Sequence, residues 1–143
     1  MTSTALLPRT DAPLRGTSRA VSWAFQVLAA VILAITLPYK FSGAEETVRL
    51  FDALGAGAVG MYGTAILETV AVALLLTPRL AVLGGALTVG LLSGAVFSHL
   101  TVLGILWDGD ASLFTMAVVG LASGLVVTWL RRRQLPVVGR RFA

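Results

Sequence analysis

The chain has 143 residues, of which 57% are hydrophobic and 13% charged, with a mean hydropathy of +0.88. A soluble domain carries roughly a quarter charged residues, so eleven basic and seven acidic residues exclude a large soluble enzyme or two independent folding units. There is no cysteine, which excludes a disulfide framework, a thiolate metal site and dithiol chemistry, and leaves any redox role dependent on a borrowed cofactor. The net charge of +4 comes from arginines that flank apolar segments, with no basic run interleaved with aromatics, so it reads as membrane topology and not as nucleic-acid binding.

Residues 1–18 contain Pro8, Pro13 and Gly16 and read as a disordered basic tail. The first apolar run, 20–37, ends at Pro38 and is the first of four segments near the 20 residues that a bilayer core requires. A cleaved signal peptide is the rival reading, because Ser42-Gly43-Ala44 offers small residues. That run exceeds the 7–15 residues of a signal core, and the segment before it is unusually long. From Ser42 to Glu45 the residues match a capping box, and Ala44, Val48, Phe51 and Leu54 recur at helical spacing before Gly55. They predict a short amphipathic helix on the outer face, as a cover for the bundle end or as a gate. The second span, 61–77, is stopped by Pro78 and Arg79, and the third runs from Leu80 to about Leu106, so the two form a tight hairpin. A Trp107-Asp108-Gly109-Asp110 turn leads to the fourth span, 111–130, and residues 134–143 form a second basic tail. The expected fold is an all-α membrane protein: one domain, 19–133, built as a four-transmembrane-helix antiparallel bundle with a short outer helix between spans 1 and 2.

Four spans place both ends on one side. That side carries nine of the basic residues, Arg79 and those of the two terminal regions, against only Lys40 and Arg49 on the other. The positive-inside rule therefore puts both termini in the cytoplasm of a multi-pass cell-membrane protein. Trp23, Tyr39, Tyr62, Trp107 and Trp129 lie near span ends, as an interfacial belt requires. Gly85, Gly90 and Gly94 in the third span, and Ala117, Gly120 and Gly124 in the fourth, read as close-packing faces within the chain or between copies of it.

Within the spans only Gln26, Glu68 and His99 are strongly polar. An acidic side chain at mid-membrane costs on the order of 2.5–3.5 kcal/mol and is rarely left unpaired. Glu68 lies seven residues below Met61 and His99 seven from Leu106, each about 10 Å deep from the outer side. Lys40 can bend down to the same layer, with Tyr39 beside it. One reading is a network that fixes helix neighbours. The other is a polar pocket in the outer half, where Lys40, Tyr39, Glu68 and His99 bind a head group and Glu68 and His99 relay a proton. Gln26, in the inner half, reads as a lone packing contact. One histidine and no cysteine give no metal or heme site.

Tyr39-Lys40-Phe41-Ser42-Gly43, Glu45, Thr47 and Phe51, the stretch 63–78 around Glu68, and 79–99 ending at His99 follow one another in an order that resembles the DoxX family of small membrane proteins. The likeness extends over residues 20–130; the tails and the Trp107–Asp110 turn depart from it. It implies four membrane helices, in a family named for a subunit of an archaeal thiosulfate:quinone oxidoreductase, with relatives linked to redox complexes and to membrane-protein assembly. Three functions follow. The first is a quinone-linked membrane subunit of a redox complex, with no intrinsic cofactor. The second is a non-catalytic scaffold, assembly partner or lipid-binding protein. A small proton-coupled transporter is third, and lacks a visible inverted repeat. The partners implied are the lipid bilayer and a redox protein or a second copy of the chain, with no nucleic acid.

Overall fold

In a computed structural model, which describes residues 14–135, the chain forms five α-helices. They are α1 (Gly16–Ser42), α2 (Glu45–Ala53), α3 (Gly57–Leu75), α4 (Ala81–Ser98) and α5 (Ser112–Leu130). A π-helical turn, His99–Leu103, extends α4, and a 3₁₀ turn, Arg132–Gln134, follows α5. Four segments are long and apolar enough to cross a membrane: Gly16–Ser42, Gly57–Leu75, Ala81–Leu103 and Ser112–Leu130. Ile35, Ile66, Val70, Val118 and Leu125 are exposed along them, an apolar exterior suited to lipid and not to water. The architecture is the all-α four-span bundle that the composition demands.

The helices follow one another around the bundle in the order α1, α3, α4, α5, with α1 and α4 on a diagonal and α2 laid across α3. Ala29, Ala30 and Leu33 of α1, Ala71 and Leu75 of α3, Leu92 of α4 and Val127 of α5 form the buried core. Small residues let the backbones approach, as expected where lipid removes the hydrophobic drive between helices. A Cβ on Gly85 would lie 2.7 Å from Thr128 Oγ1, one on Gly124 3.2 Å from the Gly85 carbonyl oxygen, and one on Gly120 2.5 Å from Leu92 Cδ1. Gly90 and Gly94 depart from the expectation: a Cβ on either meets nothing within 4 Å. Gly84 instead packs against the backbone of Leu74 and Leu75, where a Cβ would lie 2.5 Å from the Leu75 nitrogen.

Several boundaries differ from the sequence reading. Helix α1 starts at Gly16, inside the segment expected to be a tail; the rest of that tail before residue 14, and the tail from 136, lie outside the described residues. Nor does α1 stop at Pro38: it runs on to Ser42. Proline removes one donor, to the Ala34 carbonyl, and a membrane helix tolerates that loss where neighbouring groups re-satisfy the backbone. The helix closes at Gly43 (φ 64°), whose N–H donates to the Lys40 carbonyl (3.3 Å) while the Ala44 N–H donates to the Tyr39 carbonyl (3.0 Å), a Schellman motif. Since Ser42 thus belongs to α1, the expected capping box does not form. Ser42 Oγ faces the Tyr39 carbonyl, and Ala44 stands at the start of α2 with no side-chain cap. The predicted amphipathic helix is otherwise present, and ends in a second Schellman motif at Gly55 (φ 71°). The third span ends at Leu103, three residues short of the expected Leu106, and Gly104 (φ 78°) breaks it.

Candidate functional site

The sequence reading hinges on whether Lys40, Glu68 and His99 converge. Because α1 continues through Pro38, Lys40 falls one turn beyond Thr36 on the same helix face. Its Nζ donates to both carboxylate oxygens of Glu68 at 2.6 Å and to Thr36 Oγ1 at 3.0 Å. The single Thr36 hydroxyl proton has two acceptors within reach, Glu68 Oε2 at 3.2 Å and the Leu33 carbonyl at 2.9 Å. The Lys40 and Glu68 side chains are only 12% and 8% exposed, so this ion pair is poorly screened and joins α1 to α3.

His99 stands where the α-helix widens into the π-helical turn, a local distortion frequent at functional sites. It is buried, its ring packs edge-to-face on Phe114 at 5.8 Å between centroids, and its Nδ1 lies 2.8 Å from the Gly104 carbonyl oxygen. A carbonyl only accepts, so Nδ1 carries a proton, and any lone pair on the ring lies at Nε2. His99 makes no hydrogen bond to Glu68; its imidazole is oriented by its own helix end.

All three residues line one cavity of about 910 Å³ at the α2 end of the bundle, together with Tyr39 and Thr36. Every α-helix contributes: α2 through Leu50 and Phe51, α3 through Glu68, α5 through Met116. Gly90 and Gly94 of α4 also line it, which explains why they pack against nothing: their missing side chains keep space open beside the α1–α4 diagonal. The volume is in the range of small-molecule sites, and the mostly apolar wall with a few convergent polar groups is their usual composition.

The Trp107–Asp110 turn covers the same end. Trp107 and Asp110 exchange backbone hydrogen bonds at 3.0 Å around Asp108 (φ 50°) and Gly109 (φ 79°), the two positive φ values of a type I′ turn, for which Asp-Gly is a preferred pair. Asp108 meets Arg49 of α2 at 2.8 Å, and Asp110 accepts the Ser112 hydroxyl (2.7 Å) and N–H (2.9 Å) at the start of α5. Those two hydrogen bonds, the hydroxyl first, hold the Asp110 carboxyl below its ordinary pKa. The Trp107 indole nitrogen is sealed from solvent with no acceptor among the described residues.

A second polar cluster, at the end where α1 begins and α5 ends, was not read from the sequence. Gln26 is fully buried but is not the lone packing contact expected: its amide nitrogen donates to Ser22 Oγ at 2.7 Å. Arg131, only 5% exposed, donates through Nε to the same oxygen (2.8 Å) and through Nη1 to the Pro78 carbonyl (2.8 Å) and Gln134 Oε1 (3.2 Å). The i, i+4 spacing of Ser22 and Gln26 was the available signal; Arg131 was hidden among arginines that topology already explained. Among the described residues, no group of three His, Asp or Glu is placed to hold a metal ion.

Compared with family models, curated proteins and solved structures, the chain matches none.

Proposed function

We propose that this protein binds the polar head of a quinone-like amphiphile in the cavity beside Lys40, Glu68 and His99 and serves as the quinone-linked membrane subunit of a redox complex. The observation that carries this reading is a poorly screened Lys40–Glu68 pair on the same apolar cavity wall as a buried imidazole whose Nδ1 is held by the Gly104 carbonyl. The ordered resemblance to the DoxX family supports it, as does the fit of the cavity: its volume suits a substituted ring, and its apolar wall suits an isoprenoid tail. A quinone, when bound, supplies two-electron, two-proton chemistry. The electrons come from a partner protein, since the sequence has no cysteine from which to build a dithiol or an iron–sulfur site. Lys40 turns the N–H that Thr36 now accepts to a ring oxygen, Glu68 balances the lysine charge, and His99 takes or gives a proton at Nε2 while Gly104 holds its ring. In this reading the α2 end faces outward, and both termini lie in the cytoplasm of the cell-membrane protein, as the arginine distribution requires.

Titration with decylbenzoquinone, in detergent and in lipid, is expected to raise the Tm of the wild type and to leave Glu68→Gln unshifted. No shift of the wild type with any quinone tested overturns the proposal. A second reading, a non-catalytic lipid-binding or scaffold protein, is favoured by one observation: Lys40 spends its bonds on Glu68 and Thr36, as a structural tie would. It predicts that Glu68→Gln and His99→Ala lower abundance alone, and that a defined membrane partner copurifies.

A further inference from the structure

The Arg131 cluster stands apart from the cavity, at the opposite end of the bundle. A buried charge is normally paired, because removing an ion from water costs several kcal/mol. Arg131 is 5% exposed, yet its acceptors are a hydroxyl, a carbonyl and an amide oxygen, all neutral. Among the described residues, no carboxylate pairs with it: Glu45, Glu46, Asp52, Glu68, Asp108 and Asp110 all belong to the α2 half. Arg19 acts on Arg131 with the same sign; burial first, and Arg19 second, hold Arg131 below the ordinary arginine pKa. Three of the five guanidinium N–H groups are used. The two on Nη2 have no acceptor among the described residues, and that nitrogen is not sealed from solvent. Beside it Arg132 stacks on Trp129, 4.2 Å from the ring centroid, and Trp129 is 65% exposed at the end of α5, as an interfacial anchor is.

We infer that Arg131 Nη2 and Arg19 form a binding site for the headgroup phosphate of an anionic phospholipid, seated between the start of α1, the turn at Pro78 and the end of α5. An acceptor anion supplies what the described residues do not: a counter-charge for the buried guanidinium, a partner for the two Nη2 donors, and relief of the Arg19–Arg131 repulsion. A lipid fits better than a soluble anion, because the site lies where a membrane helix ends, next to an exposed tryptophan at headgroup level.

The test uses the full chain in a neutral detergent, titrated with dioleoyl phosphatidylglycerol, dioleoyl phosphatidylcholine or inorganic phosphate, and read by native mass spectrometry and Tm. Phosphatidylglycerol is expected to be retained and to raise the Tm, and phosphatidylcholine to do neither. Arg131→Lys, which keeps the charge and loses the fork, weakens retention about tenfold. Arg131→Gln also loses ties to Ser22 and Pro78 and is open to misfolding, so the deciding variant is Arg19→Gln. Arg19 is exposed, and its loss weakens phosphatidylglycerol retention about fivefold while raising the Tm without lipid. Equal retention of the two lipids, or wild-type retention by both Arg19→Gln and Arg131→Lys, overturns the site. A Tm rise reproduced by inorganic phosphate, with nothing added by phosphatidylglycerol, overturns the lipid as its occupant.

Discussion

Glu68 is the one acidic residue inside the four spans, and its partner sets what a substitution does. Replacing it by glutamine leaves the Lys40 ammonium buried beside a neutral amide, so Glu68→Gln is expected to lose about 3 kcal/mol in reversible unfolding. Lys40→Met combined with Glu68→Leu removes both charges and should recover most of that loss. A single variant as stable as the wild type would show the pair to be screened. Asp110 carries a pH dependence of known sign. Its folded-state pKa is depressed, so its contribution is present above the unfolded-state value of about 3.9 and is lost as pH falls through the folded-state value. Between neutral pH and about pH 3, the Tm of the wild type should fall further than that of Asp110→Asn; equal falls would leave Ser112 with no influence on that carboxyl. Lys40, Glu68 and His99 were legible because a titratable group inside an apolar run has no bland explanation. Thr36 and Arg131 were not. A threonine in a membrane helix bonds its own backbone as a rule, and an arginine at a span end passes for topology.

Among the elements, the glycines separate into two kinds that spacing alone does not distinguish. Gly84 meets the backbone of α3, which cannot give way, so Gly84→Ala is expected to cost about 1–3 kcal/mol. Gly90 meets nothing, and Gly90→Ala should be neutral, or stabilising by up to about 1 kcal/mol through helix propensity. Chemical unfolding of the two variants in detergent checks the contrast, and a reversed order would contradict the packing described. The periodicity of α2 and the hairpin between α3 and α4 were readable because cap glycines and Pro78-Arg79 punctuate them. Pro38 misled for a physical reason: in lipid a helix end needs partners for several carbonyls, while a proline forfeits one hydrogen bond, so continuing to Gly43 leaves fewer orphans. The π-helical turn at His99 has no pattern in sequence. It depends on Gly104 turning the chain and on its carbonyl capturing the imidazole.

For the whole molecule, composition fixes the class and charge asymmetry suggests the orientation, but the cavity belongs to the assembled bundle. It exists because α1 and α4 are diagonal and two glycines on α4 leave the space between them open. Filling that space without touching a polar group, as in Gly94→Leu, should preserve the Tm and abolish the quinone-induced shift. The central claim, that this cavity holds a quinone head, is tested most directly by photolabelling the protein in lipid with an azido-substituted quinone and mapping the adducts by mass spectrometry. The account predicts labelling confined to the far end of α1, the middle of α3 and residues 90–103, competed away by excess decylbenzoquinone and absent in Gly94→Leu. Labelling spread over the lipid-facing surface, unaffected by competitor or by Gly94→Leu, would contradict it.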